Sequence, residues 1–499
     1  MKKTISACLL GACLLLLLPF TSEAQTAIWP QFRGVNSSGI ASENQNPPVH
    51  FGPESQLLWS TNLSKGCSSP CIWGDCIFLT GCEEEGKRFQ MYCINRSNGS
   101  VTWNRELAVD SLEAVHRVSY TANATPATDG ERVVFYFSSC GLQCLDMKGE
   151  LMWEKKMPIP ESRHGMGTSP VIAGDLVILN CFGHANAPCL LALNKFNGEL
   201  AWKHDWQVKE GEWGDAYSTP VVYQDQVIIY RSADVSSYDI QTGDQIWAFQ
   251  VNMGDAVCTP VAGKELLFVT VFSTLGNTPA RVQFPDFAGL LSEYDENQDR
   301  IIDKDELTGF EINLYPEKGM EVSVPTQANK WFGYFDHNGD SFIDSSEWTG
   351  LIELCASSYL QQGIKAFRLD GKGDITLSKL VWNEREHVPH VTSPLYYRDK
   401  VYMIKSGGIL SCFRAESGDL LYSQRIGAAG AYFASPVAAG GKIYFTARNG
   451  VITVIEDGEE LNILASNDLD EIISATPAIV DNKVYVRTDA GLYAFGIDK

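Results

Sequence analysis

The stretch STPVVYQDQVIIYRSADVSSYDIQTGDQIWAFQ, residues 218–250, decides the fold. It contains three short runs rich in β-branched and aromatic residues, which are Val221–Tyr223, Val227–Tyr230 and Val235–Ile240. Gln, Asp, Thr and Gly separate these runs, as is typical of consecutive antiparallel strands joined by tight turns. Pro220 stands just before the first run, where its fixed φ and missing N–H are tolerated. We therefore predict one small antiparallel sheet that ends at Trp247.

The same unit recurs along the chain. Eight prolines, each preceded by Ser or Thr, stand ahead of a short apolar run: Pro70, Pro126, Pro170, Pro220, Pro260, Pro394, Pro436 and Pro477. Successive prolines lie 40 to 56 residues apart, except for a gap of 134 residues after Pro260. This period, built from short strands, is the signature of propeller blades. Residues 57–63 would supply the strand that the last repeat lacks, so we predict an all-β, eight-bladed β-propeller.

A glycine and an aromatic residue four positions later close most repeats. The pairs are Gly99 with Trp103, Gly149 with Trp153, Gly198 with Trp202, Gly243 with Trp247 and Gly418 with Tyr422. A large flat side chain at one position per blade can pack between neighbouring sheets. We interpret these tryptophans as structural, and not as a stack for a cofactor.

The long gap predicts an insertion in blade five, residues 276–362, that contains two acidic loops of twelve residues. Oxygen ligands at loop positions 1, 3, 5, 9 and 12, with a carbonyl at position 7, wrap one calcium ion. The first loop would supply Asp295, Asn297, Asp299, Ile301, Asp303 and Glu306, and the second Asp336, Asn338, Asp340, Phe342, Asp344 and Glu347. Apolar residues precede both loops at helical spacing. The segment resembles an EF-hand pair, which implies a small α-helical, Ca²⁺-binding insertion.

One loop position departs from the EF-hand pattern. Position six is usually Gly because the chain turns there with positive φ, and here it is Arg300 or Ser341. We therefore expect weaker calcium binding, with acidic loops that bind nothing as the alternative. A permanently filled structural clip is favoured over a calcium sensor.

The N-terminus predicts export. Lys2 and Lys3 precede an apolar run from Ile5 to Phe20, and Ser22-Glu23-Ala24 is a small-x-small cleavage pattern, so residues 1–24 are predicted to be a signal peptide. The propeller would then occupy residues 25–275 and 363–499, in the periplasm or outside the cell. Cys13 makes a lipid anchor the less favoured alternative. No later run approaches the ~20 apolar residues of a membrane span.

Charge and cysteine content fit an exported protein. The net charge of −22 argues against a nucleic-acid partner, whose phosphates need a basic surface. In an oxidising compartment disulfides are expected. The spacing suggests Cys82 with Cys93, Cys181 with Cys189, Cys140 with Cys144, and Cys71 with Cys76, and leaves Cys67, Cys258, Cys355 and Cys412 unassigned.

The repeat ending Gly-x-x-x-Trp and the opening segment Trp29–Gly34 resemble the pyrroloquinoline quinone (PQQ)-type propeller family. One branch of that family, the quinoprotein dehydrogenases, holds PQQ and calcium over the channel and oxidises alcohols or sugars. The other branch, typified by the outer-membrane assembly lipoprotein BamB, has the same eight blades, binds protein partners and carries no cofactor. The resemblance thus implies either a PQQ enzyme or a binding module.

Residues just before each Ser/Thr-Pro should line one mouth of the channel. They are His116, Arg117, Tyr120, Arg163, His164, Trp213, Asp215, Tyr217, His387, His390 and Tyr432. A ring of polar and aromatic groups suits a binding site, although surface loops are polar for other reasons as well. Asp215 is a candidate catalytic base by position alone.

The dehydrogenase pattern is incomplete in this sequence. No two cysteines are adjacent, so the vicinal disulfide of many family alcohol dehydrogenases is missing, and the calcium ligands of the dehydrogenases have no residue-by-residue match. We therefore favour an exported calcium-binding scaffold with a protein or glycan partner. A PQQ-dependent dehydrogenase of alcohols or sugars is the alternative.

Overall fold

The computed structural model describes residues 27–497, except for residues 84, 86, 117, 161 and 163 and segments 182–187, 207–215, 252–255, 274–283 and 313–325. The predicted signal peptide lies outside the described residues. No helix in the described part of the chain combines the length and the apolar character needed to cross a membrane.

The described residues form eight antiparallel blades, whose strands we name a to d from the centre outward. Blades one to four are Cys71–Trp73, Cys76–Glu83, Arg88–Asn95 and Val101–Ala108; Ala127–Thr128, Arg132–Phe137, Gly141–Asp146 and Leu151–Lys155; Val171–Ala173, Leu176–Asn180, Cys189–Asn194 and Leu200–Asp205; Val221–Tyr223, Gln226–Tyr230, Asp234–Asp239 and Gln245–Gln250. Blades five to eight are Val261–Ala262, Leu266–Val271, Gly363–Arg368 and Leu380–Glu384; Leu395–Tyr397, Lys400–Lys405, Ile409–Arg414 and Leu420–Arg425; Val437–Ala439, Lys442–Thr446, Val451–Glu456 and Asn462–Asp468; Ala478–Val480, Lys483–Arg487, Gly491–Phe495 and Leu57–Asn62.

Both chain ends meet in blade eight, as predicted. Leu57–Asn62 forms strand d there and pairs antiparallel with Gly491–Phe495. The N-terminal strand therefore closes the ring and leaves no open edge between the first and last blades.

The Ser or Thr before each proline joins its blade to the next. Its backbone N–H donates to the hydroxyl of the equivalent residue one blade further on, at 2.9–3.2 Å. In donor order the members are Ser69, Thr125, Ser169, Thr219, Thr259, Ser393, Ser435 and Thr476, and Thr476 donates back to Ser69. We call this closed circuit the hydroxyl ring. All eight residues are buried.

The tryptophans of strand d pack between blades, as predicted. Each lies over the glycine of the next blade's c–d turn, and its indole N–H donates to a nearby backbone carbonyl of that blade. The pairs are Trp59 over Gly99, Trp103 over Gly149, Trp153 over Gly198, Trp202 over Gly243 and Trp382 over Gly418. Trp247 differs, because its indole donates to Gln226 of its own blade. The next c–d connection, residues 369–379, is longer than the others.

Antiparallel strands put alternate connections on opposite faces of the propeller. The b–c and d–a connections share one face, which we call the mouth face, and the a–b and c–d turns share the other. Residues 27–41, the plug, cover the second face: Ile28–Trp29 pairs with strand a of blade one, and Ile40 bridges to Ala438 in blade seven. The 3₁₀ turn Val35–Ser37 of the plug contacts strand a of blade four, so the plug spans the channel.

The insertion joins strands b and c of blade five and therefore emerges on the mouth face. It contains helices α1 (Phe287–Tyr294), α2 (Phe332–Phe335) and α3 (Ser345–Gln361), a 3₁₀ turn at Ala328–Trp331, and a short ribbon of Glu311–Ile312 with Thr326–Gln327. Its buried residues, among them Leu290 and Trp348, cluster with one another and form a separate small core.

Strand register contradicts three of the four suggested disulfide pairs. Cys82 lies opposite Phe89 whereas Cys93 lies opposite Phe78, so about 13 Å of strand separates them. Cys140 lies in the b–c turn, and three extended residues stand between it and Cys144. A disulfide needs Cα atoms within about 7 Å.

Of the two remaining suggested pairs, the structure separates one and brings the other together. The Cys71 thiol donates to the Pro30 carbonyl at 3.2 Å, while the Cys76 thiol contacts Cys93. Cys181 and Cys189 are neighbours, as expected: the Cys181 N–H donates to the Cys189 carbonyl at 2.8 Å, and the thiols contact each other.

Candidate functional site

Three of the predicted mouth residues come together in a row across consecutive d–a connections. The His116 and His164 ring centroids are 4.9 Å apart, and the His164 and Tyr217 centroids are 6.1 Å apart. Ser162 Oγ lies 3.4 Å from the Tyr217 hydroxyl. Imidazole and phenol groups at these distances can share hydrogen bonds with one ligand.

A buried carboxyl lies beside this histidine row. Glu113 is 5% exposed, it accepts a hydrogen bond from the Ser138 hydroxyl, and its backbone N–H donates to Ser139 Oγ. Burial raises the pKa of Glu113 to about 7, against the opposing effect of the hydrogen bonds from Ser138 and Met166. Its Oε2 has no partner. Nothing in the sequence around Glu113 distinguishes it from a surface glutamate.

The other predicted mouth residues are dispersed. His390 packs against Phe272 with centroids 4.3 Å apart, between blades five and six, and His387 has a left-handed backbone with φ 62°. Tyr120 donates to Asp489 at 2.6 Å. Tyr432 is buried and donates to the Ala428 carbonyl, which is a structural role. Arg117, Arg163, Trp213 and Asp215 lie outside the described residues.

A set of basic side chains at the mouth ends of the b strands was not identified from the sequence. Arg231, Lys405, Arg448 and Arg487 occupy equivalent positions in blades four, six, seven and eight, ten to twelve residues after the blade's proline. Comparing the repeats at this offset would have revealed them. They give a basic mouth to a chain whose net charge is −22.

Two of these arginines, Arg448 and Arg487, lack partners for part of their guanidinium groups. Arg487 is 1% exposed and donates through Nη2 to the Ser64 carbonyl, but its Nε and Nη1 are unpaired, as is Nε of Arg448. Burial lowers the pKa of Arg487 to about 10. By contrast, Arg231 forms an ion pair with Asp234.

Cys67 shows that these two arginines share one neighbourhood. Burial and Asp489 raise the pKa of its thiol to about 12, while Arg487 and Arg448 act in the opposite direction. Two guanidinium groups thus face one carboxylate, Asp489, which already accepts from Tyr120. This side of the mouth can bind an anionic group through charge-assisted hydrogen bonds.

The two acidic loops of the insertion have the same internal hydrogen bonds at the same positions. Position 1 accepts from the N–H groups of positions 5 and 6, and position 12 accepts from those of positions 2, 3 and 9. Position 9 accepts from the N–H of position 12. Positions 3 and 5 accept from the N–H groups of positions 5 and 7, so every predicted side-chain ligand accepts a hydrogen bond from its own loop.

A two-residue β-bridge joins the loops. Ile302 and Ile343, both at position 8, exchange backbone hydrogen bonds of 3.1 and 2.8 Å, and both side chains are fully buried. Position 6 has the left-handed backbone that usually calls for glycine, with φ 71° at Arg300 and 74° at Ser341.

Within the described residues, no three His, Cys, Asp or Glu side chains converge closely enough to hold a metal ion. In the loops the carboxylates accept from backbone N–H groups instead, and the predicted ligand sets also include Asn and carbonyl oxygens. Calcium would have to draw these oxygens together.

The sequence profile of one family, described as outer membrane protein assembly factor BamB, matches residues 50–271 and 369–498. These two segments cover most of the chain and leave out the insertion. The chain belongs to this family.

Solved structures agree on the fold. BamB from Moraxella catarrhalis is 13% identical, with a TM-score of 0.53 over 88% of this chain and 99% of that one. A europium-containing methanol dehydrogenase is 11% identical, with a TM-score of 0.56 over 94% and 90%. A quinohemoprotein alcohol dehydrogenase from Comamonas testosteroni is 11% identical, with a TM-score of 0.55 over 95% and 81%. No curated protein sequence matched the chain.

These neighbours establish the eight-bladed architecture of this BamB-family chain. At identities of 11–13% they show the fold alone, so the function has to be argued from the residues of this chain. The relevant residues are the histidine row, Glu113 and the two partly unpaired arginines of the mouth.

Proposed function

We propose that this BamB-family protein is an exported, calcium-binding scaffold whose mouth face binds an acidic segment of a partner protein or an acidic glycan. The observation that carries the proposal is a pair of arginines at the mouth, the buried Arg487 and the half-buried Arg448, which both have buried guanidinium nitrogens without a partner. A buried donor without a partner costs about 1–3 kcal/mol, and more when it is charged. A carboxylate that docks there would satisfy these donors and neutralise the charge.

The family supports a binding role over catalysis. The family is that of an outer membrane protein assembly factor. The hydroxyl ring at the centre and the inter-blade tryptophans join neighbouring blades and would hold the mouth face in a fixed shape for a partner. The same proposal includes cleavage of the predicted signal peptide and a mature chain that lies in the periplasm or outside the cell.

Calcium is the second part of the proposal. Each loop supplies the oxygen set that a hard cation prefers. The matching hydrogen bonds of the two loops and the bridge between Ile302 and Ile343 are further support. Calcium bound there would offset the mutual repulsion of the carboxylates and hold α1 and α3 at fixed angles to the loops.

The position of the insertion connects these two parts. Because it replaces the b–c turn of blade five, it emerges on the same face as Arg448 and Arg487. We therefore assign it the role of a calcium-filled clip at the rim of the binding face.

A PQQ-dependent dehydrogenase is the alternative that one observation favours: the carboxylates of PQQ would suit the basic mouth. When bound, PQQ would supply two-electron oxidation of an alcohol. The described mouth residues do not provide the cluster of carboxylates that would hold the accompanying calcium, so we derive no catalytic step.

The two functions are separated by titrating the calcium-loaded protein with PQQ, followed by tryptophan fluorescence and a dehydrogenase assay with an artificial acceptor. The scaffold proposal expects no turnover. Stoichiometric binding with turnover would replace it with the dehydrogenase.

The binding site itself is tested with a fluorescent glutamate-rich peptide, measured by anisotropy with a lysine-rich peptide as the charge control. We expect Arg448→Gln and Arg487→Gln each to weaken binding at least about tenfold, ~1.4 kcal/mol. Arg105→Gln, an ion-paired arginine on strand d of blade one, should not change it. Equal affinities for all three variants would refute the assignment.

A further inference from the structure

Arg33 of the plug lies at the centre of the propeller. Its side chain is fully buried, and its Nη2 donates to the Pro394 carbonyl at 2.7 Å and to the Ser38 carbonyl at 3.5 Å. The plug folds tightly around it, since a Cβ at Gly39 would lie 2.9 Å from Nη2. The Gly39 N–H donates to the Arg33 carbonyl at 2.8 Å.

The guanidinium of Arg33 is otherwise unpaired. Its Nε and Nη1 have no partner, and no carboxylate of the described residues forms an ion pair with it. Burial lowers the pKa of Arg33 to about 9, with Cys258 acting in the opposite direction, so the group is still charged at neutral pH. Burial raises the pKa of Cys258 to about 11, so this thiol is neutral and provides no counter-charge.

The guanidinium reaches the hydroxyl ring. Pro394 follows the ring member Ser393, and Cys258 precedes the ring member Thr259. Arg33 therefore approaches the ring between blades five and six, from the plug side. Its position brings a buried positive charge next to a closed circle of hydroxyl groups.

The ring hydroxyls have unused donors. Each hydroxyl accepts one backbone N–H from the neighbouring blade, and no hydrogen bond among the described residues uses a ring hydroxyl as the donor. A Ser or Thr hydroxyl has one proton to donate as well as lone pairs to accept with. The ring can therefore present O–H groups toward the channel axis.

We propose that the channel holds one small monovalent anion, chloride under ordinary conditions, bound by Arg33 and by hydroxyls of the ring. Water could accept from the unpaired nitrogens but would leave the charge of the buried guanidinium uncompensated, which is costly. A chloride ion satisfies several donors at once and supplies the missing charge. This site is independent of the partner and calcium sites proposed above.

The proposal has a consequence for the plug. Arg33 connects the plug to blade six through the Pro394 carbonyl, so the anion would hold the plug in place by bridging it to the ring. Loss of the anion should loosen the N-terminal segment, while the blades keep their own pairing.

The test compares thermal unfolding of the full mature chain, calcium-loaded, in sodium chloride and in sodium gluconate at equal ionic strength. A bound anion stabilises the folded state in proportion to the logarithm of its concentration above Kd. We expect the melting temperature to be higher in chloride by about 1–3 °C. Arg33→Met should abolish the difference, Arg33→Lys should keep part of it, and Arg105→Met should keep all of it.

A direct measurement covers the case in which Arg33→Met does not fold. Crystals of the wild-type protein grown in bromide should give an anomalous peak within hydrogen-bonding distance of Arg33. Equal melting temperatures in the two salts, together with a channel that shows no bromide peak, would overturn the proposal in favour of water. An intact chloride effect in a folded Arg33→Met variant would place the anion elsewhere and would equally overturn it.

Discussion

The backbone N–H of Thr476 donates to Ser69 Oγ at 3.1 Å, although 407 residues separate the two in sequence. This bond completes the hydroxyl ring between blades eight and one. It explains why each proline is preceded by Ser or Thr, because a hydroxyl close to the backbone accepts the N–H of the neighbouring blade. The repeat thus encodes the contact between blades as well as the strands.

The ring predicts a measurable stability effect at Ser69. Ser69→Ala would leave the buried Thr476 N–H without an acceptor, which should lower the free energy of unfolding by about 1–3 kcal/mol. Ser69→Thr keeps the hydroxyl and should cost less. Urea unfolding measures both. If the alanine variant is as stable as the wild type, the ring is not an energetic link between blades.

Calcium should stabilise the protein through the last ligand of each loop. Glu306→Gln combined with Glu347→Gln removes the bidentate carboxylates at position 12 and should abolish the rise in melting temperature on adding calcium. Glu296→Gln is the matched control, since position 2 does not supply a ligand. An unchanged calcium shift in the double variant would refute the assignment of the loops.

Glycine at position 6 should tighten calcium binding. Arg300 and Ser341 adopt φ values of 71° and 74°, which cost a non-glycine residue of the order of 1–2 kcal/mol. Arg300→Gly with Ser341→Gly should therefore lower the calcium Kd severalfold, as measured by calorimetry. Lys304→Gly, whose residue is outside the left-handed region, should not. Weaker binding in the double glycine variant would show that these side chains contribute to the site.

The repeat made the propeller predictable, because each of the eight Ser/Thr-Pro pairs marks the start of the innermost strand of one blade. The acidic loops of the insertion could also be read from the sequence, because their predicted calcium ligands follow one another along the chain, and calcium binding there stays a prediction. The mouth was harder to predict. Glu113 and Arg487 come from different connections, and only the closure of the ring brings their neighbourhoods onto one face.

Disulfide guesses based on hairpin brackets failed at Cys82 and Cys93, because strand register, which turn spacing does not reveal, decides which residues face each other.

Glu113 predicts a pH dependence of stability. The pKa of its carboxyl is raised to about 7 in the folded protein, so the folded state binds its proton more tightly than the unfolded state does. The contribution of Glu113 to stability is therefore full below the unfolded pKa of about 4.5 and is lost as pH rises toward and past 7. The loss should be no more than about 3 kcal/mol.

Glu113→Gln tests this prediction, because the amide is neutral at all pH values. The melting temperature of the wild type, relative to this variant, should fall between pH 5 and pH 8. Glu131→Gln, at an exposed position, should follow the wild type. Parallel curves for wild type and Glu113→Gln would show that Glu113 does not titrate in this range.

The two cysteine pairs that the structure brings into contact should be disulfides in protein recovered from an oxidising compartment. Cys181 and Cys189 lie opposite each other at the ends of strands b and c of blade three, and Cys76 and Cys93 contact each other across strands b and c of blade one. Cys93, Cys181 and Cys189 are buried, so we expect the bonds to form during folding, when exported thiols are oxidised. Peptide mapping without reductant should recover these two links and should not recover Cys82 with Cys93.

Cys181→Ser should remove one link and leave the Cys76–Cys93 link intact, which controls for disulfide exchange during digestion. Recovery of all four cysteines as free thiols from correctly exported protein would contradict the prediction and would also count against an oxidising location.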